Sequence, residues 1–449
     1  MKAKGDAMSD LLRELIKKRQ SGIACGIASY CTANELVIEA VMEQAKRFDD
    51  TVLIEATANQ VNQYGGYTGM TPADFMRFVY QIADRTNFPI GRIILGGDHL
   101  GPLVWSDENE SAAMEKAVEL VKLMVSAGYK KIHLDTSMKL ADDPKTEPLS
   151  DELIARRSSI LYMACEEAYQ ELKKKNPNEQ RPVYIIGSEV PIPGGSQGED
   201  DGLSVTRPEA VEKTINAFKH QFEENGLKDA FENIIGVVVQ PGVEFGDDSI
   251  FHYDSVKSSA LCESMKKFDG IVLEGHSTDY QSPMELKKMM EDGIAILKVG
   301  PALTFALRKG LYALSMIEKE LIPGDRRADF KEVLEKAMLN DPYNWKKHYR
   351  GTEKEMALKR KYSFSDRCRY YFIQPEIQNA IYQLIDNINR VDLPLGLLYQ
   401  YMPMQYIKVR DGKLSKDAKS LIIDSVVEII DSYNFATKHN YMIGEVFIN

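Results

Sequence analysis

Asp98 and His99 stand side by side in Ile93-Ile94-Leu95-Gly96-Gly97-Asp98-His99-Leu100-Gly101-Pro102. An apolar run ends in two glycines, the two polar groups follow, and glycine and proline then stop regular structure. One of the pair can ligate a metal ion while the other moves a proton. Taken alone, the stretch also reads as a turn with a polar cap. On an ideal strand adjacent side chains point to opposite faces, so both reach one pocket only if the backbone twists at the strand end.

The chain has seven histidines: His99, His133, His220, His252, His276, His348 and His439. His99, His133 and His276 fall at ends of apolar runs, and Gly275-His276 repeats the glycine–imidazole pattern. Glu189 follows another such run, before a loop with Gly194 and Gly195. His99, Glu189 and His276 form a candidate divalent-metal site with a position open to substrate. The alternative is that each histidine merely hydrogen-bonds. His133 is either a further ligand or a residue pointing into the interior, and His252 is a weaker candidate. Asp98, Glu189 and Lys298 are the candidate catalytic groups. Lys298 is a charge in the apolar run Ile296-Leu297-Lys298-Val299, costly to bury unpaired. It could form a Schiff base, bind a substrate oxygen or pair with a carboxylate. Glu55, Asn59, His133, Asp135, Gln240 and Asp279 are candidate substrate contacts. Arg367 and Arg369 could hold a phosphate bidentately or make surface ion pairs. Gly65-Gly66-Tyr67-Thr68-Gly69 is not a P-loop, because no Gly-Lys-Ser/Thr follows.

These residues need elements to position them. Between about residues 23 and 320, short apolar runs alternate with longer amphipathic stretches. The predicted strands are 22–28, 51–56, 92–97, 130–134, 182–187, 234–240, 270–274 and 295–299. Helices are predicted over 33–47, 72–84, 111–127, 150–175, 207–224 and 301–321. Thr71-Pro72 supplies a cap followed by proline at the first helical position. Eight β-then-α units in roughly 300 residues is the count of a (β/α)8 TIM barrel. A doubly wound sheet is the alternative. The candidate site residues collect after the strands, and a barrel gathers those ends on one face, whereas an open sheet spreads them along a line. Residues 1–321 are thus read as the barrel with an N-terminal helix, and 322–449 as a mainly helical extension packed on it. In the extension helices are predicted over 329–339, 352–362 and 415–433, with a proline-interrupted apolar segment over 394–405.

Bulk properties exclude several classes. The 449 residues carry a net charge of −11, so there is no basic excess for nucleic acid. No apolar run reaches the roughly 20 residues that span a bilayer, and residues 1–20 have no signal-peptide core. The five cysteines include no CxxC pair, which suits reduced thiols in a cytoplasmic protein.

Long motifs carry a family resemblance: Glu55-Ala56-Thr57-Ala58-Asn59-Gln60-Val61, Gly65-Gly66-Tyr67-Thr68-Gly69-Met70-Thr71-Pro72, Gly96-Gly97-Asp98-His99-Leu100-Gly101-Pro102, Gln240-Pro241-Gly242-Val243-Glu244-Phe245, Gly275-His276-Ser277-Thr278-Asp279-Tyr280, Lys298-Val299-Gly300-Pro301, Ser365-Asp366-Arg367 and Gln400-Tyr401-Met402-Pro403. The chain resembles the Z-subunit family of tagatose-bisphosphate aldolase. The resemblance implies a TIM barrel related to the class II, metal-dependent aldolases. There an Asp-His pair ends strand three, the aspartate handling the substrate hydroxyl proton and the histidine binding zinc. Asp98 and His99 match that pair, and His276 lies near the strand-seven histidine. At strand six those aldolases have another histidine; here stands Gln240, and Glu189 is expected to complete the set. Zinc is the expected ion, with manganese, cobalt or nickel as alternatives. Family members carry three labels: kinase, non-catalytic partner of a catalytic Y-subunit, and C4 epimerase of ketohexoses or their phosphates. The missing phosphate loop speaks against a kinase. The expected function is metal-dependent C4 epimerisation of a ketohexose or its phosphate (tagatose 6-phosphate/fructose 6-phosphate) by retro-aldol chemistry. The alternative is the non-catalytic aldolase subunit. A homo-oligomer is expected, with Leu395–Met404 a candidate contact.

Overall fold

A computed structural model of the chain describes residues 8–190 and 203–437. The expected Gly194–Gly195 loop and His439 lie outside the described residues. Eight parallel strands close into a barrel: Ile27–Cys31, Val52–Thr57, Ile93–Leu100, Lys131–Leu134, Val183–Ile186, Ile234–Val239, Val272–Gly275 and Ile294–Val299. Each strand pairs with its neighbours in sequence, and the first pairs with the last, Ile27 opposite Ile296. The barrel, not the open sheet, is the architecture.

The largest boundary correction is at the first strand, expected over 22–28. Gly22 instead adopts a φ of 84° and ends the N-terminal helix Met8–Gln20, with the Ile23 amide donating to Lys18 O at 3.0 Å. The strand therefore starts only at Ile27. The third strand runs three residues past its expected end at Gly97, to Leu100. Its pairing with the fourth shifts register between Gly97 and Leu100.

Leu12 and Ile16 of the N-terminal helix join a buried cluster with Leu53, Ile94, Ile235 and Ile296. Most of these lie in the first half of their strands, so the helix plugs the N-terminal end of the barrel. The C-terminal end stays open, the end where barrels of this kind place their chemistry.

Around the strands stand the expected helices Glu35–Arg47, Pro72–Thr86, Glu110–Ser126, Asp151–Lys175, Pro208–Glu224 and Pro301–Leu321, joined by Ser255–Ser264 and Pro283–Asp292. Thr71 caps Pro72–Thr86 through a reciprocal capping box with Asp74. The extension forms helices Phe330–Asn340, Glu353–Tyr362, Pro375–Asn389, Leu395–Tyr401, Pro403–Arg410 and Ala418–Thr437. The last of these packs on Pro301–Leu321, Pro283–Asp292 and Glu35–Arg47. One apolar cluster contains both Ala28 and Ala436, so the extension shares the barrel's core. Within Leu395–Met404, Leu398 and Met402 are buried while Leu395 and Tyr399 stay exposed. No described helix is long and apolar enough to cross a membrane, and all five cysteines are free.

Candidate active site

His99 takes a φ of 47°, a left-handed conformation uncommon for a non-glycine residue. That turn brings both Asp98 and His99 into one buried site. Gly96 makes room below: a Cβ there would come within 2.7 Å of the Glu55 side chain.

The rings of His99, His133 and His276 form a triangle with centroids 5.0–5.2 Å apart. Nδ1 of His99 lies 2.7 Å from Asp135 Oδ2, and Asp135 Oδ1 accepts from the Ser137 amide at 3.1 Å and its hydroxyl at 2.6 Å. A carboxylate on one ring nitrogen fixes the imidazole and directs the other nitrogen into the site. His133 Nδ1 lies 2.9 Å from Asp98 Oδ1, and its Nε2 is buried without a hydrogen-bond partner. His276 Nε2 lies 2.9 Å from Glu274 Oε1. Ligand atoms of Asp98, His133, Glu274 and His276 all lie within 4.8 Å of one another, and all four residues are buried.

Beneath this group runs a buried chain of charge. Lys131 Nζ lies 2.7 Å from both Glu55 Oε1 and Glu274 Oε2. Lys298 Nζ pairs with Glu55 and lies 2.9 Å from Asp98 Oδ2. The Cys31 thiol donates to the same Asp98 oxygen at 3.5 Å.

Burial works against ionising Asp98, but His99, Lys298 and His133 outweigh it and hold its carboxyl well below the usual range. Burial also disfavours charged Lys298, yet Asp98 and Glu55 hold it well above the lysine range. In this structure Lys298 is an ion-pair partner of Glu55 and Asp98. Burial lowers His276 to about 4, leaving the neutral imidazole that ligates metals. Burial likewise opposes charge on His99, but Asp98 and Asp135 raise its pKa.

Four carboxylates (Glu55, Asp98, Asp135, Glu274) face two ammonium groups (Lys131, Lys298). Asp135 also pairs with His99, and the carboxylates still outnumber the cationic partners around them. That surplus, the unpartnered His133 nitrogen and the mixed nitrogen and oxygen donors fit a divalent metal.

A cavity of about 350 Å³ opens onto Asp98, His99, His276 and Lys298. Asn59, Asp279 and Arg369 also line it. Asp279 Oδ1 accepts from the amides of Gly300 at 3.0 Å and Ala302 at 2.8 Å, and burial raises its carboxyl to about 6. The other expected residues stand elsewhere. Glu189 is exposed, accepts from the Thr206 hydroxyl at 2.6 Å and, like His99, is not among the four clustered residues, which include Glu274 and His133 instead. Gln240 spends its side-chain oxygen on the Gly242 and Val243 amides. Glu55 and His133 lie in the buried layer, and Asp135 acts on His99. Arg367 is buried beside the Tyr370 ring and does not line the cavity. His252 is exposed and pairs with Glu285 at 3.0 Å. Sequence reasoning passed over Glu274 as a ligand and Lys131 altogether. Their signal was period two: Glu274 and His276, like Lys131 and His133, sit two residues apart and share the inward face.

Comparison with known proteins agrees with this architecture. Residues 12–438 match the family model described as D-tagatose-1,6-bisphosphate aldolase subunit GatZ/KbaZ-like. The D-tagatose-1,6-bisphosphate aldolase subunit GatZ of Salmonella paratyphi B is 46% identical over 424 residues, 94% of this chain and 98% of the relative. The Salmonella heidelberg protein of the same name is 45% identical over the same shares. The crystal structure of a probable tagatose 6 phosphate kinase from Sinorhizobium meliloti 1021 superposes with a TM-score of 0.84 at 43% identity, covering 92% of this chain and all of that one. The chain belongs to the GatZ/KbaZ-like family of D-tagatose-1,6-bisphosphate aldolase subunits.

Proposed function

We propose that the chain acts as the Z-type subunit of a tagatose-1,6-bisphosphate aldolase beside a catalytic Y-type subunit, and that its own barrel mouth binds a ketohexose or its phosphate together with a divalent metal. The names of relatives matching 94% of the chain support the subunit role. One observation favours a second, catalytic reading: a buried set of Asp98, His133, Glu274 and His276 beside a sugar-sized cavity. A pure scaffold has no use for such a set. Against the kinase name of the Sinorhizobium relative, residues 65–69 lack the lysine of a phosphate-cradling loop.

The catalytic reading is C4 epimerisation of a 2-ketose. The hydrogen on carbon 4 is not adjacent to the carbon-2 carbonyl, so enolisation cannot invert that centre. Cleavage between carbons 3 and 4, turnover of the aldehyde half and re-formation of the bond can. Asp98, held ionised, is in the form that accepts the carbon-4 hydroxyl proton. Lys298 keeps that carboxylate in place and supplies positive charge where an oxyanion develops. Asp135 orients His99, and neutral His276 with His133 and Glu274 would hold the metal. The metal, when bound, supplies Lewis-acid polarisation of the carbonyl.

The test uses the purified chain without any partner, given tagatose 6-phosphate and fructose 6-phosphate, with chelator and then with zinc or manganese restored. Metal-dependent interconversion that Asp98→Asn abolishes is the expected result for the catalytic reading. Uptake of solvent deuterium at carbon 4 would overturn the retro-aldol route, which retains that hydrogen. A folded chain inert toward phosphorylated and free ketohexoses, yet raising the activity of a Y-type aldolase, would leave the subunit role alone standing.

A further inference from the structure

Arg367 is 5% exposed, and its Nε has no hydrogen-bond partner. Its side chain makes a single hydrogen bond among the described residues, a long 3.5 Å contact from Nη1 to Asn344 O. Arg369, which lines the cavity, donates to Ser365 O, to Asp366 O at 3.1 Å and to Tyr370 Oη at 3.1 Å. Neither guanidinium has a carboxylate within 4.0 Å among the described residues. Other buried arginines do: Arg157 has Asp143 at 2.7 Å, Arg308 has Asp366 at 2.7 Å and Arg360 has Glu335 at 2.6 Å. The carboxylate of Asp247 is spent on Lys359 at 2.9 Å and Ser363 at 2.9 Å.

More positive charge gathers here. Both guanidinium carbons lie within reach of the Tyr370 ring, Arg369 at 4.6 Å and Arg367 at 5.7 Å from its centroid. Burial opposes ionising the Tyr370 phenol, yet the two arginines outweigh it and make it more acidic. His348 is driven down to about 4 by burial and by Arg367, Lys347 and Arg369. Burying cations without counter-charge is unfavourable, and an anionic ligand group relieves it.

Barrels commonly bind phosphate after strands seven and eight, at a helix N-terminus. In this chain that place is taken. Asp279 caps the Gly300 and Ala302 amides at the start of Pro301–Leu321, putting a carboxyl where a phosphate would otherwise sit.

We propose that the C-terminal extension supplies the anion subsite of this cavity, Arg369 at the cavity wall receiving the phosphate of a ketohexose monophosphate in place of the turn after the eighth strand, with Arg367 adding positive charge from beside Tyr370. The proposal rests on the ketohexose reading above and adds the class of substrate, a phosphate monoester. Tyr67, whose ring packs 4.6 Å from that of Tyr370, closes the subsite from the barrel side.

The experiment is equilibrium binding to the full chain, which needs no turnover. Tagatose 6-phosphate, tagatose and inorganic phosphate are titrated into wild type and Arg367→Gln/Arg369→Gln. The ester is expected to bind about tenfold or more tighter than the free sugar, with inorganic phosphate competing, and the double variant is expected to erase that preference. Equal binding of ester and sugar by wild type would overturn the proposal, as would a preference that survives in a folded double variant. Tighter binding of the same sugar bearing a carboxylate on carbon 6 would overturn the phosphate assignment. Binding of inorganic phosphate that the variant loses, with no binding of either sugar, would remove the ketohexose reading and leave the anion subsite standing. If the double variant does not fold, Arg369→Lys replaces it: the charge stays, the planar fork is lost, and the ester-to-sugar ratio is expected to fall.

Discussion

Replacing Glu274 by glutamine separates the two carboxylates that compete for the metal role. Glu274 is fully buried, with Oε1 2.9 Å from His276 Nε2 and Oε2 2.7 Å from Lys131 Nζ. Glutamine keeps the shape and one acceptor oxygen but removes the charge. In the metal-free chain Lys131 then retains Glu55 alone at 2.7 Å. Removing one member of a buried ion pair costs about 3–5 kcal/mol. The surviving Glu55 contact and the amide oxygen place the expected loss near the lower end, about 3 kcal/mol. A second loss appears when metal is added. A ligand contributes at least as much as the groups that orient it, worth about 10–100-fold in affinity, or about 1.4–2.7 kcal/mol. Urea unfolding of wild type and Glu274→Gln, each with chelator and with zinc at about 100 times the wild-type Kd, reads both terms. Wild type should gain about 2.7 kcal/mol from the metal, and the variant about 1.4 kcal/mol or less. An equal metal-dependent gain in both proteins would refute the assignment, and loss of that gain in Glu189→Gln instead would return the ligand role to Glu189.

Three further outcomes are expected. Asp366→Asn leaves Arg308, which pairs with Asp366 at 2.7 Å, without its counter-charge; asparagine tolerates the φ of 45° at this position, so a loss of about 3 kcal/mol in urea unfolding isolates the charge, and a loss below about 1 kcal/mol would contradict it. Asp279 has a folded-state carboxyl raised to about 6 against an ordinary value near 3.9; the native state therefore binds the extra proton, and the stabilisation from that proton is present at low pH and lost as pH rises through about 6. Asp279→Asn keeps an acceptor for the Gly300 and Ala302 amides, so its stability relative to wild type should improve by about 2–3 kcal/mol between about pH 4 and pH 8, and a pH-independent difference would exclude the raised carboxyl. Tyr433→Phe removes a hydroxyl that lies 2.8 Å from Thr278 Oγ1 and donates to Thr278 O at 2.9 Å; differential scanning calorimetry should show about 1–2 kcal/mol less stability, and an unaltered melting temperature would mean that this link between extension and barrel carries no weight.

Local pattern determined a good deal. Apolar runs of four to eight residues between amphipathic stretches marked the strands, and the polar residues following them pointed to a closed barrel. Thr71-Pro72 marked a helix start that the structure keeps. Asp98, His99 and His276 were legible because they follow a glycine that ends an apolar run, and His133 because it falls at the end of another such run. Tertiary structure decided the rest. Glu189 and Glu274 both follow the pattern of a carboxylate near a strand end, and barrel closure, with a pairing register that sets Val238 opposite Glu274, is what puts Glu274 beside Lys131, Asp98 and His133. The φ of 47° at His99 depends on how the third strand meets the fourth, which no local propensity encodes. Arg367 and Arg369 read in the sequence either as a phosphate clamp or as surface ion pairs; their burial without a carboxylate within 4.0 Å among the described residues exists only once residues 366–371 fold against the barrel. A sequence fixes which chemical groups are available and which face of an element they share, whereas ligand sets and charge balance depend on distances of a few ångströms between residues more than 100 positions apart, such as Asp98 and Glu274, and only the packed chain sets those.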